Sequence, residues 1–191
     1  MKLETLTVDS CGELRDISEV GTLKNLKKLE LLYCGRLTDY SPIAGCDALE
    51  EIHVQGDENP DALRDASFLS ELPKLKEIHL YACNLYNMDF LEGIARNQPR
   101  ISLGFAGNIQ DYSGMAHIKH YQYLHINPRF HSSRGGELSA VLPYIQDAQI
   151  ESLMLYECGG TDLSALPDGI RQLSIRYGDL EDLTGLKAYS L

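Results

Sequence analysis

The chain has 191 residues, 43% of them apolar, and a formal charge of −11 at pH 7. That is apolar content enough for a core, and an acidic balance argues against a surface built to face nucleic acid or an anionic membrane, which needs clustered Lys and Arg. No apolar run approaches the roughly 20 residues of a membrane span, and the start Met1-Lys-Leu-Glu-Thr-Leu-Thr7 lacks the basic and apolar regions of a signal peptide, so a soluble, cytoplasmic protein is expected. Five cysteines, an odd number, fit a reducing compartment better than a disulfide framework.

In chain order, a first unit opens with Leu3, Leu6 and Val8 and reaches Cys11, then continues with Leu14, Ile17, Val20 and Leu23 at intervals of three. The second unit states the same plan most clearly. Leu29 and Leu31 alternate as in a strand with one buried face, and Leu37, Tyr40, Ile43 and Cys46 follow at a period of three, which suits a 3₁₀ or extended return and not an α-helix. The third unit carries Leu49, Ile52, Val54 and Asp57, and the fourth Leu75, Ile78, Leu80 and Cys83. Leu103, Phe105 and Asn108 mark the fifth, with Ile109, Tyr112, Met115 and Ile118 behind them. Leu124, Ile126 and Arg129 mark the sixth, Ile150, Leu153, Leu155 and Cys158 the seventh, and Ile170, Leu173, Ile175 and Gly178 the eighth, with Leu180, Leu183 and Leu186 in its return. The unit starts lie 20 to 29 residues apart.

A second signature sets the same register without the leucines. Each return carries an acid, an apolar residue and usually a hydroxyl: Asp16-Ile-Ser18, Asp39-Tyr-Ser41, Asp65-Ala-Ser67, Asp111-Tyr-Ser113, Asp162-Leu-Ser164 and Asp182-Leu-Thr184, with Asp89-Phe-Leu91 and Glu137-Leu-Ser139 as weaker versions. A carboxylate there can accept the backbone N–H groups left over where a helical turn begins, so much of the acidity is structural. Three returns are longer, and Met88–Arg96 and Glu137–Ile145 place apolar residues at helix-like threes and fours, which predicts short helices. Asn59-Pro60 and Ser132–Gly136 read as loop.

From Leu3 to Leu186 the chain resembles the short leucine-rich-repeat proteins of the bacterial internalin-like class, which share the frame Leu-x-x-Leu-x-Leu-x-x-Asn and the Asp-apolar-Ser return. The resemblance implies an α/β solenoid of about eight repeats forming a single domain over 1–191, with a parallel β-sheet on the concave face and 3₁₀ turns and short helices on the convex face. In that class the Asn bonds backbone groups of the turn as a ladder. Here Asn108 alone is Asn, and Cys11, Cys34, Cys83 and Cys158 take the position elsewhere, so a weaker ladder is expected.

No arrangement of residues has the layout of a catalytic or cofactor site: there is no phosphate-cradling loop, no nucleophile elbow and no paired Cys-x-x-Cys or His-Glu-x-x-His spacing. The outward half of each strand would line the concave sheet. One column then reads Thr7, Glu30, His53, His79, Gly104, His125, Met154 and Ser174, and the next reads Asp9, Leu32, Gln55, Tyr81, Ala106, Asn127, Tyr156 and Arg176. Lys28, Glu51, Glu77, Tyr123 and Gln172 flank one side, and Ser10, Tyr33, Glu157 and Tyr177 the other. Aromatic residues spared from the core and set on a rigid sheet are the material of protein-binding hot spots. The candidate partner-binding set is therefore Glu30, Leu32, Tyr33, His53, His79, Tyr81, Tyr123, His125, Met154, Tyr156, Arg176 and Tyr177. Gly104, Ala106 and Gly107 predict a shallow dip at midsheet that could seat a partner's side chain. His53 and His79 with Glu51 and Glu77 have metal-ligand chemistry but lack a third fixed ligand and a supporting shell, so no metal is expected.

The function expected is a non-enzymatic module that binds a protein partner through the concave Tyr/His-rich sheet. One alternative is an inhibitory immunity protein or regulatory subunit covering a basic toxin or enzyme; another is an assembly role through the open ends of the solenoid. A monomer is expected, with end-to-end association as the variant.

Overall fold

The computed structural model describes residues 2–56, 62–105, 109–126, 136–156, 162–177 and 180–186. Among them eight strands form one sheet: β1 (Thr5–Asp9), β2 (Lys28–Leu32), β3 (Glu51–Gln55), β4 (Glu77–Cys83), β5 (Arg100–Phe105), β6 (His120–Ile126), β7 (Gln149–Tyr156) and β8 (Ile170–Arg176). Each pairs in parallel with the next, in sequence order, so the chain advances by one strand per coil. Behind the sheet the returns run through 3₁₀ turns at Ser18–Thr22, Ser41–Gly45, Ser67–Glu71, Ser113–His117 and Leu163–Ala165. The two expected helices are present: α1 (Phe90–Ile94), which continues as a 3₁₀ turn over Ala95–Asn97, and α2 (Gly136–Ile145). Helix α1 packs between the turns of the third and fifth coils, and α2 packs on the fifth.

The core is the space between sheet and returns. In the second coil Leu29 and Leu31 from the strand and Leu37, Ile43 and Cys46 from the return are all buried, as the alternation of two and then three requires. Tyr121 is the largest fully buried side chain, and its hydroxyl donates to the Met115 carbonyl at 2.9 Å, which satisfies the one polar atom it brings inside. Neighbouring returns approach so closely that a Cβ at Gly45 would lie 2.6 Å from the Gly21 carbonyl oxygen, so the stack tolerates only glycine there.

The cysteines at the end of the strands substitute for Asn by a weaker version of the same bond. The Cys34 thiol faces the Val8 carbonyl of the coil before it at 3.8 Å and the Leu32 carbonyl of its own coil at 3.5 Å; Cys83 faces Val54 at 3.7 Å and Tyr81 at 3.4 Å. Burial pushes the Cys83 thiol up to about 12, so it is a donor to carbonyls and not a thiolate. Cys11 differs from Cys34 and Cys83: no coil precedes it among the described residues, and it is exposed. Asn108 and Cys158 lie outside the described residues.

The acid signature works as the capping argument requires. The carboxylates of Asp16, Asp39, Asp65, Asp111, Asp162 and Asp182 accept the backbone N–H of the hydroxyl residue two positions on, at 2.7 to 2.9 Å. In the fourth coil the acceptor is Asn87, whose Oδ1 takes the Asp89 N–H at 3.3 Å, so the cap sits two residues before the expected Asp89. These bonds hold the carboxyls of Asp16 and Asp111, chiefly through the Ser N–H, and of Asp39, Asp162 and Asp182, chiefly through the Ser or Thr hydroxyl, below the ordinary carboxylate range.

The sign of the pH effect follows. A carboxyl depressed in the fold is ionised at neutral pH in both states, and the unfolded chain takes up protons first as pH falls, so the stabilisation present above about pH 4 is lost through the folded-state values below it. Urea midpoints should therefore drop steeply below about pH 4. Asp39→Asn, which retains an oxygen acceptor, should differ from the parent less at pH 3 than at pH 7; an equal difference at both would contradict the cap assignment.

Candidate functional site

The outward-facing side chains follow the strand register. Across β1 to β4 the neighbours are those expected: Thr7, Glu30, His53 and His79 in one row, and Asp9, Leu32, Gln55 and Tyr81 in the next. At β5 the rows step. His79 pairs with Ser102 and Tyr81 with Gly104, not His79 with Gly104; from there Ser102 pairs with Tyr123, Gly104 with His125, His125 with Met154 and Met154 with Ser174. Tyr123 thus belongs to the His79 row and not to the flank of Glu51 and Glu77. Tyr156 pairs with Arg176.

The step has a physical cause. Ile101, Leu103 and Phe105 alternate without interruption, so either consecutive pair could meet Ile78 and Leu80, and the pair that does is Ile101 and Leu103, both buried. The mismatch is absorbed by one extra residue on each side. Ala82, left-handed like Ser10 and Tyr33 at the same coil position, is left out of the pairing so that Cys83 meets Phe105, and a bulge in β6 places Gln122 between the partners of Ile101 and Ser102.

This register closes a continuous aromatic stripe. His53 lies 5.5 Å from His79 and 5.6 Å from Tyr81, ring centre to ring centre, with the Tyr81 contact edge-on. Tyr81 reaches over β5 to Tyr123 at 6.0 Å, and the stripe continues through His125 at 6.4 Å, Tyr156 at 6.1 Å and Tyr177 at 5.0 Å. These spacings are those of favourable offset and edge-to-face pairs. Gly104 makes the crossing possible: a Cβ there would stand 2.8 Å from Cδ1 of Tyr81. Gly104 is buried beneath that ring, so the expected seat at midsheet is already filled by Tyr81; Ala106 and Gly107 lie outside the described residues.

Charges are distributed unevenly along the face. Glu30 accepts the Thr7 hydroxyl at 2.7 Å and pairs with Lys28 at 3.1 Å, and these contacts, the hydroxyl first, hold its carboxyl down. Lys28 also meets Glu51 at 2.7 Å, which with Glu30 raises its ammonium. His79 Nε2 lies 3.2 Å from the Glu77 carboxylate. Nε2 of His53 and of His125 is buried with no hydrogen-bond partner among the described residues. Burial lowers both imidazoles, with His79 adding to the effect on His53 and Arg176 to that on His125.

Of the remaining candidates, Leu32 and Met154 are half-buried, and the Tyr123 hydroxyl reaches the Met154 sulfur at 3.5 Å. Tyr33 and Tyr177 stand just beyond their strands, 45% and 75% exposed, with left-handed backbones at φ 52° and 55°. Ser10 shares that coil position and that conformation, so the turn sets the backbone and the choice of Tyr is separate from it. The Tyr33 hydroxyl accepts from Gln55 Nε2 at 2.7 Å. Neither the Gln55 contact nor the left-handed turns had a sequence signal beyond their place after each strand. Among the described residues no three His, Cys, Asp or Glu side chains are grouped to hold a metal ion, and no helix is long and apolar enough to cross a membrane.

No protein-family model and no curated protein matches the chain. Among solved structures, an internalin (inlF) from Listeria monocytogenes superposes on 93% of this chain with a TM-score of 0.61 at 19% sequence identity. The fold is a leucine-rich-repeat solenoid. The chain spans 56% of the length of that internalin, so the likeness concerns the repeat region's architecture. In a leucine-rich-repeat solenoid each row crosses successive coils about 4.8 Å apart, which makes the stripe a surface of fixed neighbours and not of independent side chains.

Two outcomes follow. Gly104→Val should displace the Tyr81 ring, destabilise the protein by about 1–3 kcal/mol and change the near-ultraviolet circular dichroism of the tyrosines; an unchanged tyrosine spectrum would contradict the crossing. His53 and His125, followed by proton NMR, should titrate below about 6.5. Because their folded-state values are depressed, they contribute stability that is complete above the unfolded value and lost as pH falls beneath it; midpoints at or above 6.5 would contradict their burial.

Proposed function

We propose that the chain is a non-enzymatic module that binds another protein through the concave sheet, with the stripe from His53 through Tyr81, Tyr123, His125 and Tyr156 to Tyr177 as the contact. The observation that carries this reading is the mutual packing of seven aromatic and imidazole rings on the side of the sheet that the core does not use. Rings already braced against one another lose little conformational freedom when a partner covers them, which is what makes aromatic anchors effective. Tyr33 and Tyr177 add to it. A turn that needs only a left-handed residue is served at lower cost by glycine, so two exposed tyrosines there have a purpose other than the turn.

Glu30, Leu32, Met154 and Arg176 complete the contact as its rim. The setting is a bacterial cytoplasm: Cys11, Cys34, Cys46 and Cys83 are free thiols, which supports a reducing compartment. A partner that is a protein and not a nucleic acid agrees with the formal charge of −11, and the same charge favours a basic partner, as for an inhibitor that covers a toxin or enzyme.

The test uses the host's extract. A partner captured by the parent chain is purified, and its affinity is compared with that for Tyr81→Ala/Tyr156→Ala, both chains first shown to be folded. Loss of two anchors predicts a weakening of roughly 30-fold or more. Equal affinity would place the interface elsewhere and overturn the reading, while a steep fall in affinity with salt would identify the basic partner.

A further inference from the structure

The two outer strands of the sheet carry the same buried frame as the inner coils, but only half covered. In the second coil Leu26, Leu29 and Leu31 are at most 1% exposed. Their counterparts, Leu3 just before β1 with Leu6 and Val8 on it, and Ile170, Leu173 and Ile175 on β8, are only partly buried. The last coil also exposes Leu183 (62%) and Leu186 (40%), beside the exposed Tyr177, so three of the five large apolar side chains most open to solvent among the described residues belong to it. Among the described residues no strand pairs with the outer edge of β1 or of β8, and such an edge is a template for another strand.

The charges at the two edges are complementary. Immediately after the first frame residue of each coil stand Glu4, Lys27, Glu50 and Lys76, and they alternate in sign, with Lys27 bonded to Glu4 at 3.0 Å and Lys76 to Glu50 at 2.6 Å. The corresponding residue on β8 is Arg171, exposed and next to the acidic Glu151 of β7. Glu4, just before β1, therefore follows Glu151 and Arg171 with the next opposite charge. At the other end of the strand, exposed Arg176 on β8 corresponds to exposed Asp9 on β1.

We infer that the outer edge of β8 takes the outer edge of β1 of a second copy of this chain, in the register that joins β1 to β2. In that register Leu173 and Ile175 lie beside Leu6 and Val8 of the second copy, Arg171 beside its Glu4 and Arg176 beside its Asp9. The Asp182-Leu-Thr184 turn and the Asp16-Ile-Ser18 turn, which carry the same cap bonds, then stack Leu183 on Ile17 of the second copy. The contact is head-to-tail: each copy keeps one edge of each kind, so association continues beyond a dimer. It leaves the stripe from His53 to Tyr156 open and shares Arg176 with the rim of the proposed partner contact, so the Glu4→Lys/Asp9→Lys variant, which touches no residue of that contact, separates the two readings.

The experiment is sedimentation of the parent chain and two edge variants at physiological ionic strength. The weight-average mass of the parent should more than double across about a hundred-fold range of concentration. Arg171→Glu/Arg176→Glu reverses one edge and Glu4→Lys/Asp9→Lys the other, and each alone should raise the apparent dissociation constant about tenfold or more. An equimolar mixture of the two variants restores opposite charges at every junction and should recover association. A constant parent mass would mean that these edges are not joined by a second copy, and association that neither variant weakens would place the contact elsewhere; either result overturns the inference. A mixture that stays monomeric while both variants remain folded would overturn the register.

Discussion

Every coil of this protein has one apolar side and nothing within itself to cover it. A single strand and its 3₁₀ return form a loop too thin to enclose a core, so Leu29, Leu31 and Ile43 are buried only because coils above and below bring Leu6, Ile17, Ile52 and Leu69 against them. That requirement aligns the coils in rows. The Asp carboxylates on the turns, the thiols that face carbonyls of the preceding coil and the alternating charges of Glu4, Lys27, Glu50 and Lys76 are consequences of the same alignment.

The concave face inherits the rows without contributing to the core, and this freedom is what the proposed partner contact uses. Its charges change along the sheet: Asp9, Glu30, Glu51 and Glu77, with Lys28 among them, lie on the first four strands, and Arg100 and Arg176 on the last four. Between them the register step at β5 carries Tyr81 across a strand that offers no side chain of its own at Gly104. Without the step, the His53, His79 and Tyr81 cluster would be separated from Tyr123, His125, Tyr156 and Tyr177. The bulges at Ala82 and Gln122 therefore join two aromatic groups into one surface.

Much of the fold was legible in the sequence because its causes are local. Period two at Leu29 and Leu31, period three from Leu37 to Cys46 and the Asp-x-Ser capping pairs each report a backbone conformation within a few residues. The two helices were visible for the same reason, although the first begins at Phe90 and not at Met88. The alignment of the fifth strand was not legible: Ile101, Leu103 and Phe105 fit the frame in two ways, and the choice depends on which pair fills the space beside Ile78 and Leu80. Nor could the sequence show that Gly104 lies under a tyrosine ring instead of opening a dip, since that depends on the neighbour across the sheet. Asn87 is a cap without a distinctive signal, because the acid two residues later fits the same pattern and Asn accepts the same bond.

The claim on which the surface depends is that Tyr81, and not His79, lies against Gly104. Nuclear Overhauser contacts between assigned side chains measure this directly in solution. Contacts from the Tyr81 ring to the Gly104 α-protons and to the Tyr123 ring are the predicted result, with His79 instead close to Ser102. Contacts from His79 to Gly104, with the Tyr81 and Tyr123 rings apart, would mean that β5 pairs without the step and that the stripe is two separate patches.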